Sequence, residues 1–136
     1  MPRILAIDYG QKRVGLAVTD SEQIIASGLT AVHTKDVMSY LKQYLTKQAV
    51  SAFVIGEAKN LDNTPAESAR FIEPFVRRLV KEFPDIPIYR VDERFTSKMA
   101  FQSMIDAGLK KKSRQNKALV DEISATIILQ SYLDSL

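Results

Sequence analysis

Apolar residues recur along the chain with two different periods, and the changes of period divide it into elements. Residues 3–8 (Arg-Ile-Leu-Ala-Ile-Asp) form a short apolar run that ends in an acid shortly before Gly10, the pattern of a buried strand opening into a turn. Residues 13–19 are again rich in Val, Leu and Ala and lie close enough to fold back as a hairpin. Residues 24–32 supply a third extended stretch, so three consecutive antiparallel strands are expected. Between residues 36 and 48 the period becomes helical, with Val37, Met38, Leu41, Tyr44 and Leu45 on one stripe. Residues 51–55 (Ser-Ala-Phe-Val-Ile) read as a fourth strand.

Thr64-Pro65-Ala66-Glu67 then combines a capping Thr, a first-turn Pro and a Glu placed to complete a capping box. A long helix is predicted from there, its apolar face running through Ala69, Ile72, Val76, Leu79 and Phe83, with Pro74 bending it. Residues 88–91 give a fifth strand. Thr96 or Ser97 caps a helix that stops at Gly108, and residues 119–133 form a last amphipathic helix. Three meandering strands followed by two reached through helical crossovers predict an α/β fold, a five-stranded mixed sheet flanked by helices.

The 136 residues make a single domain, 1–136, the expected organisation. With no Cys and one His, thiolate zinc sites, cysteine nucleophiles and multi-His metal sites are excluded, so any metal must be held by oxygen. No apolar run reaches the length of a membrane span and the N-terminus lacks a secretory layout, so the expected location is cytoplasmic, with no membrane partner. The net charge of +3 permits a polyanionic partner without requiring one.

The acids fall at informative places. Asp8 ends the first strand, Asp92 and Glu93 end the fifth, Glu57 lies just past the fourth, and Asp121 is near the start of the last helix. If the fourth and fifth strands lie beside the first, their ends bring carboxylates to one rim, where sites on open sheets are built. Two like charges 4 Å apart repel by about 4 kcal/mol at an effective dielectric of 20, so such a cluster needs a cation. Mg²⁺ or Mn²⁺ is the candidate, and a pair of such ions roughly 3.5–4 Å apart serves phosphodiester cleavage. Asp8 carries this expectation best, because an acid closing a buried strand is costly to leave unpaired. Asp121 has a weaker version of the same argument and equally suits a first-turn acid favoured by the helix dipole.

Residues 108–117 carry Lys110, Lys111, Lys112, Arg114 and Lys117 without one acid. Beside a metal site this stretch would neutralise a nucleic-acid backbone; taken alone it reads as a solvated loop. His33 is expected to be structural, and the Tyr and Phe residues to be core.

Asp8-Tyr9-Gly10-Gln11-Lys12-Arg13-Val14-Gly15-Leu16-Ala17, Asp92-Glu93-Arg94-Phe95-Thr96 and Val120-Asp121 running into Ile127-Ile128-Leu129-Gln130-Ser131-Tyr132 together resemble the YqgF family, in order and spacing over nearly the whole chain. Its members look like Holliday junction resolvases and are regarded as nucleases that mature the 5′ end of pre-16S ribosomal RNA. The resemblance implies a ribonuclease H-like fold, an acidic site of Asp8, Glu93 and Asp121 with a divalent metal, and support of that site or its substrate by Arg13 and Arg94. Where the family has Gly-Leu-Pro and an Asp-Gly-Thr turn, this chain has Gly56-Glu57-Ala58 and Asp62-Asn63-Thr64, which makes Glu57 a reserve ligand. The expected partner is nucleic acid, an rRNA precursor or branched DNA. Two rivals of other classes are an actin-like phosphoryl-transfer ATPase, against which the chain length argues, and an RNA-binding assembly module without catalysis.

Overall fold

The computed structural model describes residues 2–57, 69–92 and 117–136. Five strands form one sheet: β1 (Arg3–Tyr9), β2 (Arg13–Thr19), β3 (Ala26–His33), β4 (Val50–Glu57) and β5 (Ile88–Asp92), in the spatial order β3-β2-β1-β4-β5. β1 pairs antiparallel with β2 and β2 with β3, whereas β4 and β5 run parallel to β1. This is the mixed sheet expected from the chain's periodicity. Three described helices accompany it: α1 (Val37–Lys47), entered through a short 3₁₀ turn at Thr34–Asp36, α2 (Ala69–Glu82) and α3 (Lys117–Asp134). The expected helix start at 64–67 and the helix between 96 and 108 lie outside the described residues.

Strand alternation assigns the two faces of the sheet. Leu5 and Ile7 of β1, Val14, Leu16 and Val18 of β2, and Phe53 and Ile55 of β4 pack with Val37, Met38 and Leu41 of α1 and with Ile72, Phe75 and Leu79 of α2. Ile4, Ala6, Ala17, Ala52 and Val54 pack on the other face, against Ala125, Ile128 and Leu129 of α3. The two faces differ in side-chain size. Among the described residues, large side chains meet α1 and α2 on one side, and Ala residues let α3 lie close on the other.

Two differences from the periodicity-based expectation arise from packing. Tyr9, one residue beyond the apolar run 3–8, is the last residue of β1, and its ring stacks on Phe75 at 4.5 Å between centroids. Phe75 belongs to the buried face of α2 although it follows Pro74, because it lies three residues after Ile72 and four before Leu79. At the far end of the β2–β3 hairpin the Asp20 carboxylate accepts the N–H groups of Ile25 and Ile24 at 3.0 and 2.8 Å, which stabilise its charged form and hold its pKa below the usual carboxylate value. Gln23 in that turn adopts a positive φ of 60°.

Phe53 is fully buried and packs against Phe83 from the end of α2, with ring centroids 5.6 Å apart. Phe53→Ala is expected to lower unfolding stability by roughly 3–5 kcal/mol, read as a drop in the urea midpoint at unchanged slope.

Candidate active site

The parallel pairings bring Asp8, Glu57 and Asp92 to one end of the sheet. Ile7 stands opposite Ile55, so Asp8 follows at the end of β1 level with the end of β4, and Glu57 stands opposite Asp92 as the last backbone pair of β4 and β5. Asp8 is half-buried, and alternation from Ile4 and Ala6 turns it toward the face covered by α3.

α3 supplies the second carboxylate. Asp8 pairs in register with Gly15 of β2, and a Cβ on Gly15 would run into the backbone carbonyl of Asp121. The first turns of α3 therefore rest directly on the β2 backbone, beside the residue paired with Asp8. A glycine is required there because helix and strand approach more closely than a side chain permits. Gly28 of β3 makes similar room for α3 on the adjacent strand, where a Cβ would meet the Glu122 side chain.

Arg13 fixes the carboxylate that this contact delivers. Its Nε donates to Oδ2 of Asp121 at 2.7 Å, in an ion pair whose side chains are 34% and 23% exposed. Charge-assisted bonds of this length are among the stronger ones available to a protein. A carboxylate offers about four lone-pair positions, so Asp121 keeps acceptor capacity after binding Arg13. Arg13, Gly15 and Ala17 all lie on the α3 side of β2, which places the guanidinium, the helix seat and Asp8 on one face.

The donor chemistry suits a hard divalent cation: two carboxylates and a cationic neighbour, with no softer ligand among them. Among the described residues, no group of three His, Cys, Asp or Glu side chains could hold a metal ion. Glu93, the third expected ligand, lies outside the described residues. So do Arg94, Lys110, Lys111, Lys112 and Arg114, expected to bind substrate. His33 closes β3 at an exposed position opposite Arg13 and belongs to no buried core. The seat at Gly15 is not among the residues that sequence reasoning singles out; its signal is a glycine inside an otherwise Val- and Leu-rich strand.

Comparison with known proteins places this architecture. The fowlpox virus Holliday junction resolvase superposes with a TM-score of 0.58 at 15% identity, over 98% of this chain and 99% of that one. Thermus thermophilus RuvC, solved in complex with a Holliday junction substrate, gives 0.58 at 17% identity over 99% and 98%. The fold is therefore the ribonuclease H-like fold of these resolvases. Residues 2–135 match the family described as RuvX: Holliday junction resolvase, and the chain belongs to that family. Relatives from Flavobacterium psychrophilum (62% identical, 98% of this chain and 97% of the relative) and Flavobacterium johnsoniae (61%, 99% and 98%) both carry the name "Putative pre-16S rRNA nuclease".

The two glycine seats differ in what a methyl group would strike, rigid helix backbone at Gly15 and a movable side chain at Gly28. Gly15→Ala is expected to cost about 1–3 kcal/mol in chemical denaturation, the range of core overpacking, and Gly28→Ala clearly less. Equal losses at both positions would mean that α3 does not bear on β2 through Gly15.

Proposed function

We propose that this protein is a metal-dependent nuclease that hydrolyses phosphodiester bonds in the 5′ maturation of pre-16S rRNA. The observation that carries the reading is the delivery of Asp121, by a helix seated on Gly15 and an ion pair to Arg13, to the face that holds Asp8. Family membership and the names of relatives about 60% identical support the same chemistry and substrate. Asp8, Asp121 and Glu93 would hold Mg²⁺ or Mn²⁺. The family resemblance of residues 92–96 supports Glu93 over Asp92 as the third ligand.

Bound there, such ions supply Lewis acidity toward the phosphate and lower the pKa of an attacking water. The chain's own residues do the positioning. Asp8 lies one residue from the end of β1, a strand paired with β2 and β4, and Asp121 is held by Arg13, so neither carboxylate must be ordered when substrate arrives. Arg13 also places a fixed positive charge at the site's edge, where a phosphodiester approaches. Lys110, Lys111, Lys112, Arg114 and Arg94 are assigned to the flanking backbone, where their charge adds affinity without reading sequence.

A second reading, resolution of branched DNA, is favoured by the description of the family model itself. Purified protein is incubated with 5′-extended 16S precursor RNA and, in parallel, with a four-way DNA junction, in Mg²⁺, Mn²⁺ or chelator. Cleavage of the RNA is expected with either metal and none with chelator. Asp8→Asn and Asp121→Asn should each lower the rate by about 10²–10³-fold, the scale of losing one group that stabilises transition-state charge, while RNA affinity stays within about threefold. Cleavage of the junction alone establishes the DNA reading, and cleavage that persists in chelator defeats the metal mechanism.

A further inference from the structure

A second anion-attracting feature adjoins the carboxylates. The turn between β1 and β2 and the corner leaving β3 form a cleft of about 410 Å³ lined by Gln11, Lys12, Arg13, His33, Thr34 and Lys35. That volume falls within the range of small-ligand sites. Its walls are tied together: the Thr34 N–H donates to the Lys12 carbonyl at 3.0 Å, the Thr34 hydroxyl donates to the Gly10 carbonyl at 2.7 Å, and Arg13 pairs with His33 across the strands. Lys12 and Lys35 are thereby presented from two segments into one space.

Among the described residues, no acid lines this cleft. Asp36 borders the neighbouring one, which shares His33 with it. Arg13 is committed to Asp121, and among the described residues Lys12 and Lys35 have no ion-pair partner. Two cations brought together without a counter-charge attract a polyanion. Arg13 joins the two regions, since it both lines the cleft and grips Asp121.

We propose that this cleft is a phosphate station for the RNA strand, with Lys12 and Lys35 pairing a backbone phosphate flanking the one to be cut. The proposal rests on the nuclease reading above and deepens it. A phosphodiester held there enters the site along the Arg13 edge, and the station adds affinity without sequence preference. Gln11 offers a neutral polar group to the same backbone.

The test is binding of a fluorescein-labelled single-stranded RNA oligonucleotide to the full chain, followed by anisotropy in chelator across a series of salt concentrations. The Lys12→Ala/Lys35→Ala variant should bind about five- to tenfold more weakly and show a salt slope shallower by about 1. Lys12→Arg/Lys35→Arg should keep wild-type affinity and slope. Lys47→Ala/Lys81→Ala is the control for net charge. Those lysines lie in the last turns of α1 and α2, which lead into the beginnings of β4 and β5, at the end of the sheet opposite Asp8. The control should stay within about twofold of wild type at unchanged slope.

If the double alanine chain melts early, Lys12→Gln and Lys35→Gln singly carry the same readout at smaller amplitude. Losses no greater than the control's, or no RNA binding by the wild type, overturn the station. Wild-type cleavage in Mg²⁺ is measured alongside. Cleavage together with binding indifferent to Lys12 and Lys35 removes the station alone, whereas lysine-dependent binding without cleavage keeps the station and removes the nuclease reading.

Discussion

The structure depends on how closely α3 can approach β2. A helix packed on a sheet through ordinary side chains stands about 10 Å away, too far for its backbone to touch a strand. Here the α3-facing positions of β2 are Arg13, Gly15 and Ala17, with Ala6 beside them on β1, so the helix descends until the Asp121 carbonyl meets Gly15. The other face shows the contrast: Leu5, Ile7, Leu16, Phe53 and Ile55 fill the space beneath α1 and α2 with large side chains. A thick core on one side gives stability, and a thin one on the other brings a carboxylate borne by a helix to the strand end carrying Asp8.

Electrostatics sets the second requirement. Carboxylates gathered on one face repel one another, and the fold offsets some of that repulsion with the Arg13 guanidinium, whose own strand supplies the seat for α3. Arg13 thus links three functions: it steadies Asp121, balances charge, and borders the cleft holding Lys12 and Lys35. A site with acids at its centre and cations at its edge is matched to a phosphodiester backbone, which needs a cation at the bond to be broken and counter-charges along its flanks.

Much of this architecture is legible in the chain because it is local. The apolar runs over 3–8, 13–19 and 88–91 lie within β1, β2 and β5, and the stripe of Val37, Met38 and Leu41 is the buried face of α1. Asp8 stands out because an acid at the end of such a run is unusual. The Arg13–Asp121 pair is different in kind, joining residues 108 apart in the chain, and no periodicity encodes a contact of that range. The family resemblance singles out both residues without showing that they hold each other. Gly15 is visible as a break in β propensity, but what it accommodates is a property of two packed elements. Phe75 and Tyr9 are expected in the core from residue type alone; their mutual stacking joins two elements and no period in the chain encodes it.

The central claim is that Asp8 and Asp121 serve one cation site. Calorimetric titration of Mn²⁺ into the wild-type chain and into Asp8→Asn and Asp121→Asn tests it most directly. The account predicts a site in the wild type that each single variant weakens by about tenfold or more, the scale of losing one charged ligand. Equal Mn²⁺ affinity in the wild type and either variant would contradict it.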